Sequence, residues 1–319
     1  MKTQLTSMVM RRISFGFLTI LVITVLIFVG VEALPGDLAE AILGQTATPE
    51  TVEAFRKELK LDLPPHVRYF SWLGDFLTGD FGNSLATGND IREMITWRFA
   101  NTLFLGAAAA SITVPFALFL GIMAALYRES VFDKAISIFT LAAISFPEFF
   151  VAYILILFFS VKLSLFPSVA MITAEMPLAQ KIYSIILPCI TLMLVVMAHI
   201  VRMTRAAILN VMSSRFIEMA RLKGINRANI IVKHALPNAL APVINVIILN
   251  LAWLVVGVVI IEVVFAYPGL GQLMVDSVSK RDIPVVQAAG MVFAVTYVSL
   301  NLLADVLSIL SNPKLRSPR

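Results

Sequence analysis

Six apolar runs separated by polar segments of unequal length predict an all-helical, membrane-spanning chain. The first run covers residues 13–31, and five more follow at about 99–126, 134–160, 185–210, 240–265 and 285–310. Each is long enough for a helix to cross a hydrocarbon core of about 30 Å. The pattern divides the chain into a polar start (1–12), a first transmembrane helix (13–31), a polar region (32–98), a five-helix unit (99–310) and a tail (311–319). The apolar run at 13–31 also admits a cleaved signal peptide, because Val31 and Ala33 have the small-residue spacing of a cleavage site. It is longer than the usual apolar part of such a peptide, so a retained helix is expected.

Within the polar region, Pro35-Gly36-Asp37 marks a turn at the membrane exit. Thr48-Pro49-Glu50 starts a helix that Pro64-Pro65 is expected to end. Tyr69, Phe70, Trp72, Leu73, Phe76 and Leu77 then form an aromatic-rich amphipathic segment suited to a membrane interface; simple anchoring is the plainer role for each ring. Between the fourth and fifth runs lies the segment Ser213 to Pro237. Phe216, Met219, Ala220 and Lys223 recur there at helical spacing, with Ile217 and Leu222 broadening the stripe. Gly224 reads as a left-handed helix stop, Asn226 as the cap of a second short helix from Arg227, and Pro237 as an interruption before the next span. A connecting loop needs only a few residues, so this build points to a docking surface; a basic loop that merely sets topology is the plainer alternative.

Composition and charge fix the setting. The chain has 319 residues, 59% of them hydrophobic and 14% charged, as expected of a polytopic membrane protein. If the amino terminus is cytoplasmic, the segments on that side carry 15 of the 25 Lys and Arg residues against three acids, Glu129, Asp133 and Glu218. That bias places both termini and the 213–237 loop in the cytoplasm. The net charge of +5 is therefore a matter of topology and gives no sign of nucleic-acid binding. The single cysteine, Cys189, rules out an intrachain disulfide framework.

The candidate chemistry is sparse. Glu148 follows Pro147 inside the third run, where a Pro kink frees carbonyls and a carboxylate is costly unless it faces a cavity or a partner. Glu262 and Asp305 are further acids in spans, and all three are candidate pathway or gating residues, each with a hydrogen-bonded or interfacial role as the plainer reading. After the fifth span, Pro268 with Gly269 and Gly271 predicts a tight external turn, followed by a short helix with Leu273, Met274 and Val278 on one face. No phosphate-binding loop is present: the spacing Gly74 to Gly79 continues with Asp80 and Phe81. His66, His199 and His234 are dispersed, so neither a metal site nor an enzymatic constellation is expected, and the chain is expected to hold no cofactor of its own.

Glu218, Ala220, Gly224, Leu236 and Pro237 match the spacing of the coupling motif of bacterial ABC-transporter permeases, with Met219 and His234 departing from its usual Ala and Ile. The stretches from Trp72 to Phe76 and from Gly79 to Ser84, the run from Glu262 to Pro284, and the tail from Asn312 to Arg316 resemble the B-type inner-membrane permeases of dipeptide, oligopeptide and nickel importers. The resemblance implies a six-helix type I importer permease in the bacterial inner membrane, in which the run from Glu262 to Pro284 lines the external side of the pathway and makes Pro268 and Gly269 further candidate pathway or gating residues. It also implies a second permease as heterodimer partner, two ATP-binding subunits that bind the ATP and dock at residues 213–237, an extracytoplasmic solute-binding protein, and peptide as the cargo. Nickel or another small solute is the alternative within this architecture. An ion-coupled secondary transporter and a non-transporting scaffold are alternatives outside it; no inverted repeat is apparent for the former.

Overall fold

The computed structural model describes residues 2–33, 48–58 and 62–311; the expected turn at Pro35-Gly36-Asp37 and the tail from Asn312 lie outside them. The described chain is helical almost throughout. Helix α1 (Lys2–Glu32) incorporates the polar start into the first span, and α2 (Pro49–Glu58) begins with the predicted proline. Pro65 opens the next helix, α3 (Pro65–Thr78), where its missing N–H costs nothing because first-turn amides have no partner inside the helix. The pair expected to end the preceding helix therefore starts a new one, and the residues directly after Glu58 lie outside those described.

The second span begins earlier than its hydropathy predicts: α4 runs from Ile91 to Leu126, because Asp90 accepts a hydrogen bond from the Glu93 amide and caps it. The third span departs most from expectation. In place of one kinked helix, α5 (Val131–Ser145) and α6 (Glu148–Leu155, continued by a wide π turn, Ile156–Lys162) meet at 103°. Phe146 and Pro147 are both extended, as expected where a proline keeps the preceding residue out of the helical region. Each arm, at about 1.5 Å per residue, is shorter than the bilayer core, so neither crosses it alone.

A short helix α7 (Leu178–Ser184) leads into α8 (Ile186–Met212). Beyond it come α9 (Arg215–Leu222), α10 (Arg227–Asn229) with a π turn (Ile230–Ala235), α11 (Leu236–Gly257), α12 (Val259–Val264), α13 (Leu270–Ser279) and α14 (Ile283–Ser311). Pro237 does not interrupt anything: it lies in the first turn of α11, directly after the π turn. The i→i−5 register there, seen in the Leu236 amide donating to Ile231, leaves room for a ring that would crowd an α-helical carbonyl. Among the described residues five helices are long and apolar enough to span a membrane, and the number is six if the bent pair counts as one span.

Helix α8 is the centre of the bundle, with α4, α5 and α11 packed around it, while α11 and α1 both pack on α14. Its core side chains, Leu187, Leu192, Val196, Met197 and Ile200, are at most 2% exposed. The facing side of α4 is built from small residues, Gly106, Ala109, Ala117, Gly121 and Ala124. At Gly121 an added Cβ would lie 2.8 Å from Thr204 of α8, so glycine permits the close approach that holds two helices together where lipid gives no hydrophobic advantage. Two further clusters close the ends, one around Ile208, Ile217 and Ile230, the other around Ile91, Leu270 and Val285.

Candidate functional site

At one end of the bundle, Ser213 to Pro237 folds as helix, glycine break and helix. Helix α9 shares its apolar residues between two surfaces. Ile217 and Ala220 are buried against Ile208, Met212, Ile230 and Ile231, whereas Phe216, Met219 and Leu222 are 48%, 57% and 76% exposed. The predicted stripe is thus split, and its larger part faces outward with Glu218 and Lys223. Gly224 holds φ +76°, a left-handed conformation strained for any residue with a Cβ, and Asn226 accepts from the Asn229 amide at 2.8 Å. Leu236 is half-buried against the same cluster, and Pro237 is exposed at the start of α11.

The adjoining turn between α4 and α5 is fixed by a pair that sequence reading missed. Arg205 donates from Nε and Nη2 to the two oxygens of Asp133, at 2.7 and 2.8 Å, while Asp133 also accepts from the Glu129 amide at 2.9 Å. The signal was an acid directly before the third run and a basic residue inside the fourth.

At the opposite end, Glu262, Pro268 and Gly269 come together. Helix α13 starts with three amides that have no partner within it. Leu270 donates to Thr102 Oγ1 at 2.8 Å, and Gly271 and Gln272 donate to Glu262 Oε2 at 2.7 and 3.1 Å. The Thr102 hydroxyl donates to Glu262 Oε1 at 2.6 Å. Glu262 is 0% exposed, so its carboxylate caps a neighbouring helix from inside the protein, where the partial positive charge of a helix start favours an anion. Gly269 has φ −96°, open to any residue, but a Cβ there would fall on the Glu262 carboxylate; close approach, not backbone freedom, requires this glycine. The left-handed residue of the turn is Ala266, at φ 47°. Asn101 Nδ2 donates to the Pro268 carbonyl at 2.9 Å, and the Tyr267 hydroxyl donates to the Asn101 carbonyl at 2.7 Å. Burial pushes that hydroxyl above the ordinary tyrosine range and keeps it a donor. On α13, Leu273 is buried and Met274 half-buried, while Val278 is 59% exposed and lies off the face predicted for it.

A second clasp joins two stretches that the sequence presents separately. Asp282 accepts from the Ser84 hydroxyl and from the amides of Leu85 and Ala86, the latter two at 3.1 and 3.3 Å, and so ties residues 84–86 to the start of α14. Thr102 and Ser84 were invisible as partners because they lie 160 and 198 residues from the acids they contact.

The other two predicted acids stand apart. Asp305 lies about 35 Å from Asp282 along the direction of α14 at 1.5 Å per residue, and accepts from Arg12 Nη1 of α1 at 2.8 Å. Glu148 is half-buried in the first turn of α6, with its Oε2 enclosed and without a hydrogen-bond partner among the described residues. His199 is exposed on α8. Among the described residues no group of three or more His, Cys, Asp or Glu is placed to hold a metal ion.

These elements recur in known proteins. Residues 117–317 match the model of the binding-protein-dependent transport system inner membrane component, and residues 5–106 that of the N-terminal part of such membrane components. The chain belongs to this family of ABC-transporter permeases. A Brucella abortus (strain 2308) protein named as a peptide transport system permease is 35% identical over 313 residues, covering 98% of this chain and 99% of that one. The glutathione transport system permease protein of Salmonella typhi is 35% identical over 308 residues, covering 97% and 98%. A chain from the inward-facing MetNI methionine ABC transporter superposes with a TM-score of 0.54 at 18% identity, over 69% of this permease and 96% of that chain, and shares its fold. The permease is thus a multi-pass transport subunit of an ATP-driven system.

Proposed function

We propose that this permease carries peptides, dipeptides or oligopeptides, through the bacterial inner membrane as half of a permease heterodimer. Two ATP-binding subunits power it and an extracytoplasmic solute-binding protein supplies it. Full-length similarity to relatives named for peptide and glutathione transport supports the cargo, since glutathione is itself peptide-like. The observation that carries the mechanism is α9, anchored by Ile217 and Ala220 and bare on Phe216, Met219 and Leu222. A helix seated on one side and exposed on the other acts as a rigid lever. An ATP-binding subunit that grips the exposed face moves α8 and α11 with it through the Ile208, Ile230 and Ala235 contacts. Glu218, Ala220, Gly224, Leu236 and Pro237 shape this lever: Gly224 turns the chain out of α9, and Pro237 starts the span that receives the motion.

At the opposite end, Glu262, Pro268 and Gly269 lock α12, the turn and α13 into one body, so that external gating moves the unit whole. Asp305 holds α1 on α14, and Glu148 has an oxygen free for a pathway partner. With 15 of 25 basic residues on the side of the 213–237 segment, both termini and α9 face the cytoplasm.

Uptake of labelled dipeptide, glutathione and ionic nickel, measured separately in cells with the gene intact or deleted, tests the cargo. Loss of dipeptide entry alone is expected. Loss of nickel entry with dipeptide uptake intact would overturn the peptide reading.

A further inference from the structure

Beside α9 lies a cavity of about 450 Å³ lined by Arg128, Glu129, Arg221, Ile225, Arg227 and Ile230. Its three arginines come from three separate pieces of chain: the turn after α4, helix α9 and helix α10. The convergence is built. Arg227 Nη2 donates to the Ala125 carbonyl at 3.3 Å, Asn226 caps α10, and Glu129 is held at φ 68° by its amide bond to Asp133, itself clamped by Arg205. Three like charges gathered in one recess repel one another, and the only acid in the lining, Glu129, is paired with Arg128 at 3.1 Å. Among the described residues neither Arg221 nor Arg227 forms an ion pair. The recess is therefore left with a positive surplus, and its partly apolar floor of Ile225 and Ile230 strengthens the field in it.

We infer that this recess is a binding site for a phosphate group, which bridges the turn after α4 to α9 and α10. Guanidinium forks brought from three pieces of chain match a tetrahedral group with at least three acceptor oxygens better than a flat carboxylate with two. The volume exceeds a phosphate ion and leaves space for ester substituents. The recess begins where the α4 span ends, at the level where the headgroups of anionic phospholipids lie, so the group can come from a lipid or from a soluble phosphate. A phosphate seated there ties the lever helix to the core of the permease and makes its position depend on the anion.

The test uses the whole transporter complex in phosphatidylcholine nanodiscs. One arm measures association of spin-labelled phosphatidylglycerol against labelled phosphatidylcholine, and the other measures binding of radiolabelled inorganic phosphate. Saturable binding is expected in at least one arm, and the arm that shows it identifies the source. The double variant Arg128→Gln/Arg221→Gln leaves Arg227 on its carbonyl and should bind at least about tenfold more weakly. Should that variant fail to assemble, Arg128→Gln alone, at an exposed position, should weaken binding in the same direction. Lys162→Gln/Lys181→Gln, which removes equal charge at the other end of the bundle, should bind as the wild type does. No saturable binding in either arm, unchanged binding in the arginine variants, or equal weakening in the lysine variant would overturn the inference.

Discussion

Single residues at the two ends of the permease carry different kinds of constraint. Glu262 is surrounded by donors, so Glu262→Ala strands the Thr102 hydroxyl and two amides in a dry interior. A loss of about 3–5 kcal/mol is expected, read as early melting of the detergent-solubilised complex. Gly269→Ala should reproduce much of that loss, because its Cβ occupies the place of the same carboxylate. If Gly269→Ala melts like the wild type, the capping geometry is wrong. Gly224→Ala is a milder case: its left-handed backbone costs about 1 kcal/mol with a Cβ, in open surroundings. At this scale the sequence marked Glu262 and Gly269 and placed Ser84 and Asp282 in two separate stretches, but gave no sign of Thr102 or Asn101. A hydroxyl or amide inside an apolar run gives no sign of which distant acid or carbonyl it meets.

Helices and turns were legible where polarity changes along the chain and illegible where it does not. The starts of α2 and α13 and the end of α9 follow from proline and glycine. Within α4 nearly every position is apolar, and the side that meets α8 is distinguished by size alone, through Gly106, Ala109, Ala117 and Gly121. The break at Phe146-Pro147 was foreseeable as a disturbance; its 103° bend depends on two consecutive extended residues, and sequence indicates only the first of them. The split face of α9 makes two opposite predictions. Ile217→Ala removes a fully buried side chain and should lower stability by about 2–4 kcal/mol, seen as a lower melting temperature. Leu222→Glu changes a side chain that is 76% exposed, so the permease should fold and insert normally while ATP-binding subunits co-purify poorly with it. Retained co-purification would show that they grip some other surface.

For the molecule as a whole, the proposed lever requires the α8-centred bundle to rock as a unit, with α9 as its handle. The orientation has a direct check. A cysteine at Leu222 should react with an impermeant maleimide only in inside-out vesicles, and one at Thr87 only in intact spheroplasts; the reverse pattern would invert the topology. Family membership and helical architecture could be read from motifs spread along nearly the whole chain, whereas cargo could not: of the acids that the sequence offers for a pathway, Glu262 caps a neighbouring helix and Asp305 pairs with Arg12. The most direct test of the lever is ATP-dependent uptake of labelled dipeptide into proteoliposomes holding the complete importer, wild type against Gly224→Pro, with subunit assembly checked by gel filtration. Uptake that needs ATP in the wild type and is lost in an assembled Gly224→Pro complex is the predicted result. Uptake that proceeds without ATP, or that survives Gly224→Pro unchanged, would contradict transport driven through α9.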